Sequence, residues 1–167
     1  MTATDACPNP LWYFAYGSNL NDAVFRDRRG MRVLAVERGR LDGFALRFDL
    51  PVGPGERGVA NVVPAEDAHV WGALYLLAVD DCDRLDRTEG VHMGAYQRSI
   101  VQVARDDRST CDAFTYRSPV GKTGRKPSAR YIGLIVAGAR QRGLPDDWVR
   151  WLESLELAVD AREAAAS

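Results

Sequence analysis

His69-Val70-Trp71-Gly72-Ala73-Leu74-Tyr75-Leu76-Leu77-Ala78-Val79 is apolar at almost every position. A strand with one wet face alternates apolar and polar residues, so an unbroken run of this kind predicts a strand covered on both sides. The segments before it also read as strands. Leu11-Trp12-Tyr13-Phe14-Ala15-Tyr16 is an aromatic run of strand length, ending in the turn formers Gly17-Ser18-Asn19. Asn19 or Asn21 then caps a short helix over about 22–29, closed by Gly30. Residues 32–50 read as two strands around Asp42-Gly43, a strong hairpin signal. The stretch 51–57 holds two prolines and two glycines and reads as a loop, and 58–64 is a further strand.

Downstream the period changes. Residues 80–87 read as a short acidic helix, with Asp80 or Asp81 as cap, Leu85 pointing inward and Asp86 on the solvated face. Thr88-Glu89-Gly90 follows. Residues 96–104 and 110–117 are two strands joined by the polar turn Arg105-Asp106-Asp107-Arg108. After a loop at 118–126, Ser128 caps a helix reaching about residue 142, with Tyr131, Leu134, Ile135 and Ala139 at helical spacing. Gly143 and Pro145 stop it, and Asp146 or Asp147 opens a last helix. Seven strands and three or four helices result. The strands cluster before the long helices instead of alternating with them. This predicts an α+β fold, a compact mixed β-barrel with flanking α-helices, and excludes a doubly wound sheet. The expected organisation is a leader at 1–10, one domain at 11–157 and a frayed tail at 158–167.

The 167 residues carry 22 basic and 23 acidic side chains, 46% of the chain is apolar and 27% is charged. That is average globular usage for one domain. A near-zero balance gives no global field toward nucleic acid or an anionic membrane. No apolar run reaches spanning length, so no membrane partner is expected. Residues 1–10 show no basic or apolar signal pattern, and Cys7, Cys82 and Cys111 match no zinc spacing. Reduced thiols suit a cytoplasmic protein. With only His69 and His92 as histidines, the catalytic menu is carboxylates, hydroxyls, backbone amides and one thiol.

Three places could carry chemistry. At Tyr16-Gly17-Ser18-Asn19-Leu20, a glycine after an aromatic strand admits a positive φ and lets backbone amides face outward. The segment is either an anion-binding concavity or an ordinary strand–turn–helix joint. Ser18 lacks the flanks of a hydrolase nucleophile. Glu89, at a helix end beside Gly90, is either a solvated acid or a partly desolvated base with a raised pKa. Tyr96, Phe114, Tyr116 and Tyr131 are either core packing or the wall of a pocket. Arg117, Lys122, Arg125, Lys126 and Arg130 form a local basic cluster that is either a solvated loop or a screen for an anionic substrate; it holds no stacking aromatics for nucleic acid.

Taken together these segments resemble one family. Tyr13-Phe14-Ala15-Tyr16-Gly17-Ser18-Asn19-Leu20 is similar to the substrate-binding loop of the γ-glutamylcyclotransferases. Leu85-Asp86-Arg87-Thr88-Glu89-Gly90-Val91, then Gly94-Ala95-Tyr96, resembles their catalytic-glutamate segment. Pro127-Ser128-Ala129-Arg130-Tyr131, Gly138-Ala139 and Gly143-Leu144-Pro145 resemble their C-terminal helix and the turn after it. The resemblance implies intramolecular aminolysis of a small γ-glutamyl substrate, with release of 5-oxoproline and an amino acid or amine and with no metal or cofactor. It implies Glu89 as general acid/base, and Tyr13, Phe14, Ala15, Tyr16, Gly17, Ser18, Asn19, Tyr116 and Tyr131 as substrate-binding residues. Phe114, with a different gap, is the other match to the family's strand tyrosine; Tyr116 is preferred because its hydroxyl can hydrogen-bond a substrate. A non-catalytic module that binds an amino-acid-like ligand is the alternative function. Oligomeric state stays open between a monomer and a homodimer.

Overall fold

The structure is a computed structural model describing residues 9–159. Five strands close into a barrel in the order β1-β3-β2-β4-β5: β1 (Leu11–Ala15), β2 (Val33–Pro51), β3 (Gly58–Leu77), β4 (Gln97–Ala104) and β5 (Thr110–Arg117). Neighbours run antiparallel except β1 and β5, which meet in parallel with Tyr13 opposite Phe114 and close the ring. The helices are α1 (Val79–Thr88), α2 (Ala129–Gln141) and α3 (Asp146–Glu153), with a π-helical turn at Ala23–Arg28. Leader residues 1–8 and tail residues 160–167 lie outside the described residues, Cys7 among them. At the start of the expected tail, Ala158 N–H donates to Pro127 C=O at 2.9 Å and Val159 N–H to the Glu56 carboxylate at 3.0 Å.

The run at 69–79 is covered on both faces, as its composition requires. Ala73, Leu74 and Tyr75 point alternately to opposite sides, and all three are fully buried. Tyr75 stacks with Phe25 of the π-helical turn, ring centres 4.5 Å apart, and sits opposite Tyr13 of β1. Phe14 and Leu74, paired on the other face, fill the barrel.

The expected hairpin within 32–50, and the expected separate strands 58–64 and 69–79, are each one continuous strand. Asp42-Gly43 forms no turn: β2 runs straight through it, and the register shift against β3 between Asp42 and Phe44 absorbs Gly43 at φ 80° as a bulge. The same irregularity takes up residues 65–68 of β3, including Asp67 at φ 61°. Seven expected strands therefore become five. Long-range pairing over nearly the whole of β2 and β3 outweighs one local turn preference. Neither Asp80 nor Asp81 caps α1; its N-cap is Ala78. Asp81 is instead buried, accepting from Arg84 at 2.8 Å and from Arg32 N–H at 3.2 Å, which ties α1 to the approach of β2.

The site depends on two close joints. Ser128 caps α2, its hydroxyl accepting from Tyr131 N–H at 3.1 Å. Gly138 of that helix lies directly against the loop after β1: a Cβ there would sit 2.5 Å from the Leu20 carbonyl carbon. A helix without a side chain at this point can press the loop into place. At the end of α1, Gly90 takes φ 69°, the left-handed conformation that ends a helix and leaves Glu89 as its C-cap.

Candidate active site

A cavity of about 200 Å³ opens where the C-terminal end of β1, the start of β3, the end of α1 and the start of α2 meet. Tyr13, Tyr16, Gly17, Ser18 and Asn19 form one side of it, and Glu89, Tyr96, Tyr116, Tyr131 and Arg29 stand around the rest. Seven of the sequence-expected site residues, and Glu89 as an eighth, therefore line a single cavity.

Phe14 and Ala15 do not. Both point into the core with no exposed surface. Their contribution is backbone, as when Phe14 C=O accepts from the Thr115 hydroxyl at 2.8 Å. Phe114 is also core, stacked on Tyr13 at 5.2 Å, so of the two strand aromatics only Tyr116 reaches the cavity. Gly17 has φ −113°, so the positive φ admitted by the sequence is absent. Glycine is needed there for space: a Cβ would meet the Tyr131 hydroxyl at 3.2 Å and Ala60 Cβ at 3.3 Å.

Glu89 is nearly sealed from solvent, its side chain 13% exposed. Asn19 Nδ2 donates to its Oε1 at 2.9 Å and also to the Tyr13 hydroxyl at 2.9 Å. Arg29 Nη1 approaches Oε1 at 3.4 Å. No described residue donates a hydrogen bond to Oε2. Burial raises the Glu89 pKa, while Arg29 and the Asn19 hydrogen bond pull it back part of the way. Asn19 Oδ1 is buried and without a partner among the described residues.

The loop after β1 is folded as one turn of 3₁₀ helix, Ser18–Leu20. Leu20 N–H donates to Gly17 C=O and Asn21 N–H to Ser18 C=O, both at 3.0 Å. The N–H groups of Gly17, Ser18 and Asn19 donate to no described backbone acceptor. Tyr75 anchors the loop from below, its hydroxyl donating to Asn19 C=O at 2.9 Å.

The tyrosines are held individually. Ala60 N–H donates to the Tyr131 hydroxyl at 3.0 Å, and the Tyr96 hydroxyl donates to Ala60 C=O at 2.6 Å. Burial pushes Tyr131 up to about 12 and raises Tyr13, Tyr16 and Tyr96 as well, so near neutrality all remain hydroxyls. The Tyr16 hydroxyl donates to Tyr116 C=O. The Tyr116 hydroxyl donates to Asp86 Oδ1 at 2.5 Å, and Arg98 grips both oxygens of Asp86 at 3.0 and 2.9 Å. Asp86 is thus not on a solvated face.

A model of the AIG2-like family matches residues 69–152. A gamma-glutamylcyclotransferase of Bos taurus is 30% identical over 148 residues, covering 86% of this chain and 78% of its own length. The chain belongs to the AIG2-like γ-glutamylcyclotransferase family. The gamma-glutamylcyclotransferase of Homo sapiens is 28% identical over the same shares of both chains. A solved structure of a gamma-glutamyl cyclotransferase superposes with a TM-score of 0.80 at 25% identity, covering 91% of each chain. The barrel and its flanking helices are this family's fold.

Sequence reading missed Arg29 as a site residue. One arginine among twenty, at the end of a short helical turn, carries no distinguishing mark. Tyr96 was visible only as one of several aromatics. The local basic cluster disperses in space: Lys126 pairs with Glu156, Arg125 donates to Gly53 and Arg57 carbonyls, and Arg117 lies over Phe44. Among the described residues no three His, Cys, Asp or Glu side chains converge on a metal site, and no helix is long and apolar enough to cross a membrane.

Proposed function

We propose that this protein is a γ-glutamyl cyclotransferase that converts a γ-glutamyl amino acid or amine into 5-oxoproline and the free amino acid or amine. One observation carries the assignment: Glu89 is a desolvated carboxylate, with one oxygen uncommitted, in the wall of a cavity the size of a single γ-glutamyl group. The substrate's α-ammonium must lose a proton before it can attack. Glu89 Oε2 takes that proton, and the freed amine attacks the γ-carbonyl carbon. The C–N bond to the departing nitrogen then breaks as Glu89 returns the proton to it, and the second proton that the ring nitrogen must shed to become the lactam N–H leaves with the released amine as its ammonium. A raised pKa suits both steps.

Outward amides at Gly17 and Ser18 supply donors for the carbonyl oxygen as it becomes negative. Asn19 orients the carboxylate, and its free Oδ1 is an acceptor for the ammonium. The tyrosine walls hold the substrate folded, which favours closure of a five-membered ring. The buried thiols of Cys82 and Cys111 fit the reducing conditions of a cytoplasmic enzyme.

The test is 5-oxoproline release from a panel of γ-glutamyl dipeptides, γ-glutamyl amines and glutathione. Turnover of at least one compound is expected. Binding without turnover across the panel would overturn the assignment in favour of a non-catalytic ligand-binding module.

A further inference from the structure

We infer that the enzyme prefers γ-glutamyl substrates whose departing amino acid carries a carboxylate of its own side chain, held by arginines in a cleft outside the catalytic cavity. The inference builds on the cyclotransferase assignment and adds a substrate class to it. The cavity at Glu89 has room for the γ-glutamyl group and little more, so the departing group must lie outside. A larger cleft of about 1200 Å³ adjoins it and shares Ser18, Arg29, Val59 and Tyr131 as common wall.

That cleft is one-sided in charge. Arg28 from the π-helical turn, Arg57 from the approach to β3 and Arg130 from the first turn of α2 line it together with Arg29. No Asp or Glu is among its lining residues. Arg29 faces Glu89, whereas Arg28, Arg57 and Arg130 form no ion pair with a described residue. Two acids are sequence neighbours of these arginines: Asp27, beside Arg28, forms no ion pair with a described residue, and Glu56, beside Arg57, accepts from Val159 N–H at 3.0 Å. Elsewhere on the surface Arg38, Arg40, Arg84, Arg140 and Arg150 each pair with a carboxylate. Three arginines from three separate elements thus converge on the path of the departing group with no ion-paired counter-charge among the described residues.

Every γ-glutamyl amino acid brings one α-carboxylate to this cleft. Three uncompensated cations leave excess positive charge after that contact, so a second carboxylate is attracted and an ammonium is repelled. The arginines are exposed, so the effect is moderate and sensitive to salt.

The experiment compares kcat/KM for γ-glutamylglutamate, γ-glutamylglutamine and γ-glutamyllysine, the first two being near-isosteric. The expected order is glutamate, glutamine, lysine, with about tenfold between the first two at low salt and a ratio approaching one at about 1 M salt. An Arg57→Gln/Arg130→Gln double substitution should collapse the glutamate-to-glutamine ratio to within about twofold. Equal or inverted efficiencies in the wild type overturn the inference while leaving the cyclotransferase assignment intact. So does a ratio that survives the double substitution. Absence of 5-oxoproline from all three compounds and from the wider panel overturns the assignment and the inference together.

Discussion

The end of α1 carries two carboxylates one helical turn apart, and their surroundings are opposite. Asp86 is held on both oxygens: Arg98 binds each of them, the Tyr116 hydroxyl donates to Oδ1, and the guanidinium rests 4.3 Å over the Phe114 ring. Glu89 is more deeply buried, yet both of its contacts fall on one oxygen. A carboxylate that receives three donors from two neighbouring strands acts as a strut. One that has lost its water and gained few donors has its pKa raised by burial. Donor number, more than residue type, divides the two roles.

The largest effect should come from Glu89→Gln. It keeps the shape and removes the base, so kcat should fall by about 10²–10⁴. Near-normal release of 5-oxoproline by this variant would break the comparison at its centre. A second readout is stability against pH. Because the folded pKa of Glu89 lies above its unfolded value, its contribution is fully present below the ordinary glutamate range and is lost as pH rises through the raised pKa. Denaturant midpoints measured across that window should decline in the wild type and flatten in Glu89→Gln.

Asp86→Asn should reverse the ranking. Sequence alone placed Asp86 in solvent; the structure makes it the joint between α1 and strands β4 and β5. Weakening charge-assisted bonds to a partly exposed group costs about 1–2 kcal/mol. The expected result is a lower thermal midpoint than Glu89→Gln and a loss in kcat/KM of about tenfold, because a small shift of α1 misplaces Glu89. Unchanged stability and activity would mean that the pair is ornamental and that Glu89 is positioned by Asn19 and Gly90 alone.

Arg29→Gln tests the other side of the comparison more gently. Arg29 holds the Glu89 pKa down against burial. Its removal should move the acid limb of the kcat/KM profile to higher pH, with a smaller loss of rate at the plateau. An acid limb that stays in place would show that Arg29 does not sense the charge on Glu89.

How far the sequence reaches is clear from these same residues. Glu89 could be read because its neighbours form a recognisable string ending in a glycine that must terminate a helix. The loop at 16–19 could be read for a similar reason: glycine, serine and asparagine after an aromatic strand leave few conformations. The barrel followed from strands that cluster ahead of the long helices, and the two-sided burial of one of them from the apolar run at 69–79. Arg29 could not be read, because it meets Glu89 only after sixty residues of chain have folded between them. The role of Asp86 was hidden likewise, since its partners Arg98 and Tyr116 come from two later strands. The Asp42-Gly43 turn was misread because turn preference is local, while the pairing of β2 with β3 extends far beyond it.

The smallest expected effects separate two tyrosines that the sequence treated alike. Both line the cavity, but their hydroxyls are committed differently. Tyr116 donates to Asp86, so Tyr116→Phe removes one prop of the strut and should act as a weaker Asp86→Asn, lowering the thermal midpoint with little change in KM. Tyr131 accepts from Ala60 N–H and keeps its own hydrogen free to donate into the cavity above Gly17. Tyr131→Phe should therefore raise KM, at a cost of roughly 0.5–1.5 kcal/mol for one neutral hydrogen bond. A double-mutant cycle sharpens the distinction. Tyr116→Phe with Asp86→Asn should couple by about 1 kcal/mol in stability, and Tyr131→Phe with Asp86→Asn should be nearly additive. If instead Tyr116→Phe raises KM at an unchanged midpoint, its hydroxyl leaves Asp86 for the substrate, and the strut and the binding wall are one device.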